Sequence, residues 1–271
     1  MSTSGGSGTP VNRHERDDSV ISLARWARAV RARHKLTRRQ AEHATGISPD
    51  YLKNIEHGWL PSQQYLEKFI TGYDLDAAQT RLTWDLWRPP VPLPPADQLR
   101  KQICTPDRLE FLALLDSAGI AIAYIDVAWN ILCANKTFYR TMPDAGANTD
   151  GNFALWALPP APEPSPAEPL LLHPRRDARW LVGMLRGGLG RYRTSPQVIS
   201  MYQQLSRNAV FNHHWQDIHV TYGRCLLHEP LQLRNPITRQ PYALDLQITE
   251  LADIPAIRGV VAWPPPQPAP P

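Results

Sequence analysis

The chain has 271 residues, 42% hydrophobic and 20% charged, with a formal net charge of +4, a composition that excludes a disordered chain and allows one small and one medium domain. The longest apolar stretch, Leu112 to Ala134, is interrupted by Asp116 and Asp126, which argues against a membrane span. The polar start MSTSGGSGTP carries no secretory signal, and three scattered cysteines (Cys104, Cys133, Cys225) fit neither a disulfide framework nor a CxxC metal site, so a cytoplasmic protein is expected.

Residues 1–18 show no periodicity and read as a disordered arm. Leu23, Ala27 and Val30 recur at helical spacing and predict a first helix. Two short helices follow. Thr37 with Gln40 three residues on forms a capping box, Gly46 supplies the positive φ of a sharp turn, and Ser48, Pro49 and Asp50 suit the start of the next helix. Leu66, Phe69, Ile70 and Tyr73 predict a further helix, and Leu82 with Leu86 a last one before a proline cluster. The expected organisation is therefore a helical domain over 19–88, a Pro-rich linker over 89–104, a second domain over 105–263 and a Pro-rich tail over 264–271.

In the second domain a helix over Leu109–Asp116 precedes two β-like runs that meet at a tight connection near Asp126. Helical spacing returns over Ala178–Arg186 and Pro196–Asn208, with Gly187–Gly190 read as a flexible loop between them. Three more β-like runs, Ile218–Leu227, Ala243–Glu250 and Ile257–Trp263, make the class α+β. Leu244, Leu246 and Ile248 alternate with polar residues, as in a half-buried strand.

The two short helices are the informative pair. Ile47, Leu52 and Ile55 point inward, leaving Pro49, Asp50, Lys53 and Asn54 outside. Asn54 can pair with adenine and Asp50 can accept from cytosine. Arg25, Arg28, Arg31, Arg33, Lys35, Arg38, Arg39 and Lys53 outweigh Glu42, Asp50 and Glu56, as phosphate neutralisation requires. Spacing alone also allows a merely solvated helical hairpin. With Gly-Ile-Ser at 46–48 and Ile-Glu-His-Gly at 55–58, residues 20–75 resemble the lambda-repressor-like (Xre/Cro) helix-turn-helix domain. That resemblance implies an all-α five-helix fold that binds double-stranded DNA, usually as a homodimer. It places Pro49, Asp50 and Asn54 at base edges, Thr37, Arg38 and Ser48 at phosphates with Arg39 and Lys53 beside them, and Glu56 in a structural pair with Arg31. Ala41, Glu42 and Ala44 depart from the family's pattern.

Residues 109–263 are similar to the ligand-binding domain of MmyB-like transcription regulators. The likeness is carried by Leu114-Leu115-Asp116, the run from Asp126 through Trp129-Asn130-Ile131-Leu132 to Asn135, Phe153 with Trp156, Trp180, Leu185-Arg186 and Phe211 with Trp215. The insertion at Pro159–Pro169 and the sequence His228-Glu229-Pro230-Leu231 are departures. The resemblance implies a PAS-like α+β fold enclosing an apolar cavity for a fatty-acid-like molecule, lined by Trp129, Asn130, Phe138, Phe153, Trp156, Trp180, Phe211 and Trp215. Buried aromatics also simply build cores, and Asn130 equally suits a turn. His213 and Asp217 at i, i+4 are the one metal-like pair, without a third ligand fixed by spacing. No catalytic residue, cofactor or metal is expected. The composite reading is a ligand-sensing transcription regulator. Its alternative is a protein-interaction or antitoxin-type adaptor that uses the helix-turn-helix without specific DNA.

Overall fold

The computed structural model describes residues 20–146, 151–224 and 229–264, so the expected arm (1–18) and nearly all of the expected tail lie outside the described residues. Helix α1 (Leu23–Arg33) starts at Ser22, whose hydroxyl accepts from the Arg25 N–H. Helix α2 (Arg38–Thr45) carries the complete Thr37–Gln40 capping box and stops at Gly46, φ 65°. Helix α3 (Pro49–Glu56) has Ser48 as N-cap and Pro49 in its first turn, where a missing N–H leaves no bond unmade. Helices α4 (Gln63–Gly72) and α5 (Ala77–Trp87) complete this part; α5 opens with a second capping box, Asp76 with Gln79.

One apolar core joins these helices through Trp26, Val30, Ile47, Leu52, Ile55, Phe69, Leu82 and Leu86. The Trp26 indole N–H donates to Thr83 Oγ1 at 2.8 Å and so ties α1 to α5. Gly72, at the end of α4, lies so close to α2 that a Cβ there would stand 2.4 Å from Thr45 Cα.

The expected linker over 89–104 is only partly an extended strap. Its prolines are followed by helix α6 (Ala96–Ile103), with Leu99 and Ile103 fully buried in a second core. The reason is local: once the prolines end, two apolar residues four apart give a helix one face to bury. The strap itself is tied down, with the Val91 N–H donating to Arg191 O at 2.9 Å and the Leu93 N–H to Ser195 Oγ at 2.8 Å. Helix α7 (Pro106–Ser117) follows.

The second core is built on a five-stranded antiparallel sheet in the order β2-β1-β5-β4-β3. The strands are β1 (Ala121–Asp126), β2 (Ile131–Ala134), β3 (Leu231–Arg234), β4 (Pro241–Glu250) and β5 (Ile257–Trp263). Helices α8 (Lys136–Thr141), α9 (Phe153–Ala157), α10 (Pro174–Tyr192), α11 (Pro196–Leu205) and α12 (Ala209–Trp215) lie between β2 and β3 in sequence. The class is α+β, a helical part joined to a sheet with helices.

Two expectations fail. Gly187–Gly190 is not a flexible loop but the buried C-terminal part of α10. Neighbouring chain fills the space their side chains would take: a Cβ on Gly187 would meet Thr221 O at 2.7 Å, and one on Gly190 would meet Leu82 Cδ1 at 2.6 Å. The run Ile218–Leu227 forms no strand among its described residues. It touches the sheet through an isolated bridge, Arg224 with Ile248. Ile218 and Val220 instead enter the core of α1–α5, which gives their alternating pattern a burial partner without a ladder; residues 225–227 lie outside the described residues.

Candidate functional sites: an exposed helix face and an apolar cavity

The first candidate is the outer side of α2 and α3. Thr37, Arg39, Ser48, Asp50, Lys53 and Asn54 are exposed, while Arg38 and Pro49 are half-buried. The inward positions Ile47, Leu52 and Ile55 are buried, so the 3.6-residue period fixes which side chains remain outside. Asn54 leaves its carboxamide outward while its backbone carbonyl accepts from the Trp59 N–H at 3.0 Å. At the helix end, the Lys53 carbonyl lies 2.6 Å from His57 Nδ1.

Beneath this face Glu56 is fully buried and holds two guanidinium groups. Its Oε1 accepts from Arg31 Nε at 2.6 Å, and its Oε2 accepts from Arg31 Nη2 at 3.1 Å and from Arg38 Nε and Nη2 at 2.9 and 2.7 Å. Burial opposes the ionised carboxylate, but the bonds from Arg31 and Arg38 outweigh it and hold the carboxyl below its ordinary value. Arg31 also donates to Leu36 O at 2.9 Å. One carboxylate therefore fixes α1, the start of α2 and the end of α3 together. Sequence reasoning paired Glu56 with Arg31 and missed Arg38, which it assigned to phosphate contact. Two of the three Arg38 guanidinium nitrogens are already engaged with Glu56, so in this arrangement the residue positions α2 against α3.

The second candidate is a cavity of about 430 Å³ between the sheet and its helices. Ala121, Leu246, Ile248, Val260 and Ala262 form its floor; Met142, Ala178 and Leu181 stand opposite. Four expected lining residues reach it: Phe138, Phe153, Trp156 and Trp180. The other four do not. Trp129 is fully buried behind the wall, stacked on Phe153 with centroids 5.6 Å apart. Asn130 closes the β1–β2 connection: its N–H and Nδ2 donate to Asp126 at 2.9 and 2.8 Å. Phe211 stacks on Trp215 at 5.1 Å, away from the cavity, and Arg186 lies over the Trp215 ring while donating to the Trp215 carbonyl at 2.7 Å. Three of these pack as core aromatics and Asn130 closes a turn, as buried aromatics and turn asparagines commonly do.

The cavity also has polar lining that the sequence reading missed: Glu163, Glu168, Arg175, Asp177 and Arg224. Four come from the start of α10 and from the proline-rich insertion, whose Pro159 and Pro164 close one side. Burial pushes the Asp177 carboxyl up, against the pull of Arg176 and Arg224. Sequence placed a helix over Ala178–Arg186, one residue short of Asp177, whereas α10 starts at Pro174 and puts Asp177 and Trp180 three apart on it.

The metal-like pair is not assembled. Asp217 lies beyond the end of α12 and binds Arg179 at 3.1 Å. Among the described residues no group of three or more His, Cys, Asp or Glu is placed to hold a metal ion, and no helix is long and apolar enough to cross a membrane. In comparisons with known proteins, no family model matches this chain and no curated protein matches it.

Proposed function

We propose that this protein is a sequence-specific DNA-binding transcription regulator of the cytoplasm, whose second part binds a small apolar molecule. The observation that carries the reading is the α2–turn–α3 unit: a Gly46-turned helix pair with Asp50, Lys53 and Asn54 exposed on one side and its apolar side locked into a core. A helix of this kind presents its first residues to the major groove, where Asn54 reads adenine and Arg39 and Lys53 neutralise phosphate. Five helices, α1–α5, support the lambda-repressor-like reading. An apolar cavity between sheet and helices supports the PAS-like, MmyB-like one. A homodimer on two half-sites follows from the same reading.

Fluorescence anisotropy with a duplex from the protein's own promoter, over a range of salt concentrations, tests it. Binding that weakens steeply with salt and exceeds binding to random duplex is the expected result. Equal affinity for both duplexes overturns it in favour of an adaptor that does not read sequence.

A further inference from the structure

The cavity's apolar wall is interrupted by two polar atoms that nothing in the described residues completes. Asp177 and Trp180 lie three residues apart on α10, on one face of the helix, and both line the cavity. Asp177 is 8% exposed. Its Oδ1 accepts from Arg176 Nε at 3.1 Å, whereas its Oδ2 has no hydrogen-bond partner. The buried Trp180 indole N–H is also unpartnered. Proteins leave few buried polar atoms unmatched, because each carries an unrecovered desolvation penalty. Here one is an acceptor, the other a donor, and both side chains line the same cavity.

Charge narrows what completes them. Glu163, Glu168 and Asp177 line the cavity against Arg175 and Arg224, and Arg224 is occupied: it donates to the Glu229 carbonyl and lies 5.1 Å over the Trp180 ring. A carboxylate adds a fourth negative charge to Glu163, Glu168 and Asp177 and has no proton to give Asp177 Oδ2. An ammonium group would lie among the guanidinium groups of Arg176 and Arg224 that act on Asp177, and has no lone pair to accept the Trp180 N–H. A neutral group that donates and accepts at one atom fits both openings.

We propose that the cavity's ligand is an apolar molecule ending in a hydroxyl group, whose O–H donates to Asp177 Oδ2 and whose oxygen accepts the Trp180 N–H. This rests on the reading of the cavity as a ligand site. Phe138, Phe153 and Trp156 enclose the apolar body. The proline-rich insertion covers one side.

Isothermal titration of the full chain with 1-decanol, 1-methoxydecane and decanoate tests the assignment. The three probes share an apolar chain and differ in the polar end: donor and acceptor, acceptor alone, and anion. The alcohol is expected to bind about tenfold more tightly than either of the others, the effect of one hydrogen bond to a charged acceptor. Asp177→Leu is expected to erase the difference between alcohol and ether. Trp180→Phe, which keeps a ring beneath Arg224, is expected to weaken alcohol and ether by a similar factor. Equal binding of alcohol and ether by the unaltered protein overturns the hydroxyl assignment and leaves an apolar ligand cavity standing, as does tighter binding of decanoate. Failure of all three probes to bind overturns the ligand-cavity reading itself.

Discussion

Exchanging Glu56 for glutamine keeps the shape of the side chain and deletes the charge that Arg31 and Arg38 share. Glu56 makes four contacts of 2.6, 3.1, 2.9 and 2.7 Å to the two guanidinium groups. Removing one member of a buried ion pair costs about 3–5 kcal/mol. Two features reduce this. The Arg31 and Arg38 side chains are 20% and 36% exposed, so water recovers part of their solvation. Glutamine also keeps one acceptor oxygen. About 2–3 kcal/mol remains, a fall in melting temperature of about 5–10 °C. Urea unfolding followed by tryptophan fluorescence measures it, with Trp26 in the affected core. The pH dependence gives an independent sign. The folded carboxyl lies below its ordinary value, so its contribution is complete above the unfolded value of about 4.3 and disappears as pH falls through the folded one. The gap between unaltered and Glu56→Gln proteins is therefore constant near neutrality and closes in acid. A loss below about 0.5 kcal/mol at neutral pH, within the scatter of ordinary surface changes, or a gap that persists undiminished at about pH 2, would refute the argument.

Gly72→Ala places a methyl 2.4 Å from Thr45 Cα and 2.7 Å from Ala44 O; backbone cannot yield cheaply, so stability falls by about 1–3 kcal/mol despite alanine's better helix propensity, and a melting temperature equal to that of the unaltered protein contradicts it. Lys53→Ala lowers the slope of log affinity against log salt by about 1 on every duplex, whereas Asn54→Ala costs about 1–3 kcal/mol on the promoter site alone; anisotropy titrations separate the two, and an Asn54→Ala loss that is equal on random duplex removes the base-reading role. Ala262→Phe places a ring into the cavity from the floor, abolishing 1-decanol binding in titration calorimetry while promoter affinity persists in the absence of ligand; retained 1-decanol binding by the variant refutes it.

Where local chemistry decides, the residues were readable from sequence. The Thr37–Gln40 box, Gly46 and Ser48-Pro49 are short-range signals, and each fixes a helix end without help from the rest of the chain. The alternation of Leu244, Leu246 and Ile248 marked β4 because one face is buried and the other is not. Strand β3, Leu231–Arg234, escaped because four residues between irregular segments carry too little period to register. The candidate sites were harder for a different reason. Arg38 and Glu56 are eighteen residues apart, and Asp177 meets cavity walls drawn from α8, α9 and four strands. Neither residue type nor spacing says which aromatic ends as lining and which as backing, so Phe138, Phe153, Trp156 and Trp180 could not be separated from Trp129, Phe211 and Trp215 until the sheet gave them a common floor.

The glycines of α10 were misread for an instructive reason. A glycine cluster weakens an isolated helix, so sequence favours a loop; inside a folded protein the same residues let other chain approach. Gly183, Gly187 and Gly190 recur at i, i+4 and i+7, one face of the helix, and that face meets His219, Thr221 and Leu82. The Thr221 N–H donates to the Gly183 carbonyl at 3.2 Å. Just past the helix, Arg193 donates to the carbonyls of Asp85, Leu86 and Arg88 at 3.1, 3.0 and 3.0 Å, supplying the partners that the last turn of α5 lacks. Helix α10 has 19 residues, about 28 Å of length. Its first turns line the cavity and its last turn rests on α5. The extended strap before α6 adds no slack, because Val91 and Leu93 are bonded to Arg191 and Ser195. Any influence of a cavity ligand on the exposed face of α3 is therefore carried by packed contacts, through α10 on α5 and through residues 218–224 against the α1–α5 core, rather than through a tether. Its size is bounded by how differently the ligand binds two positions of α10.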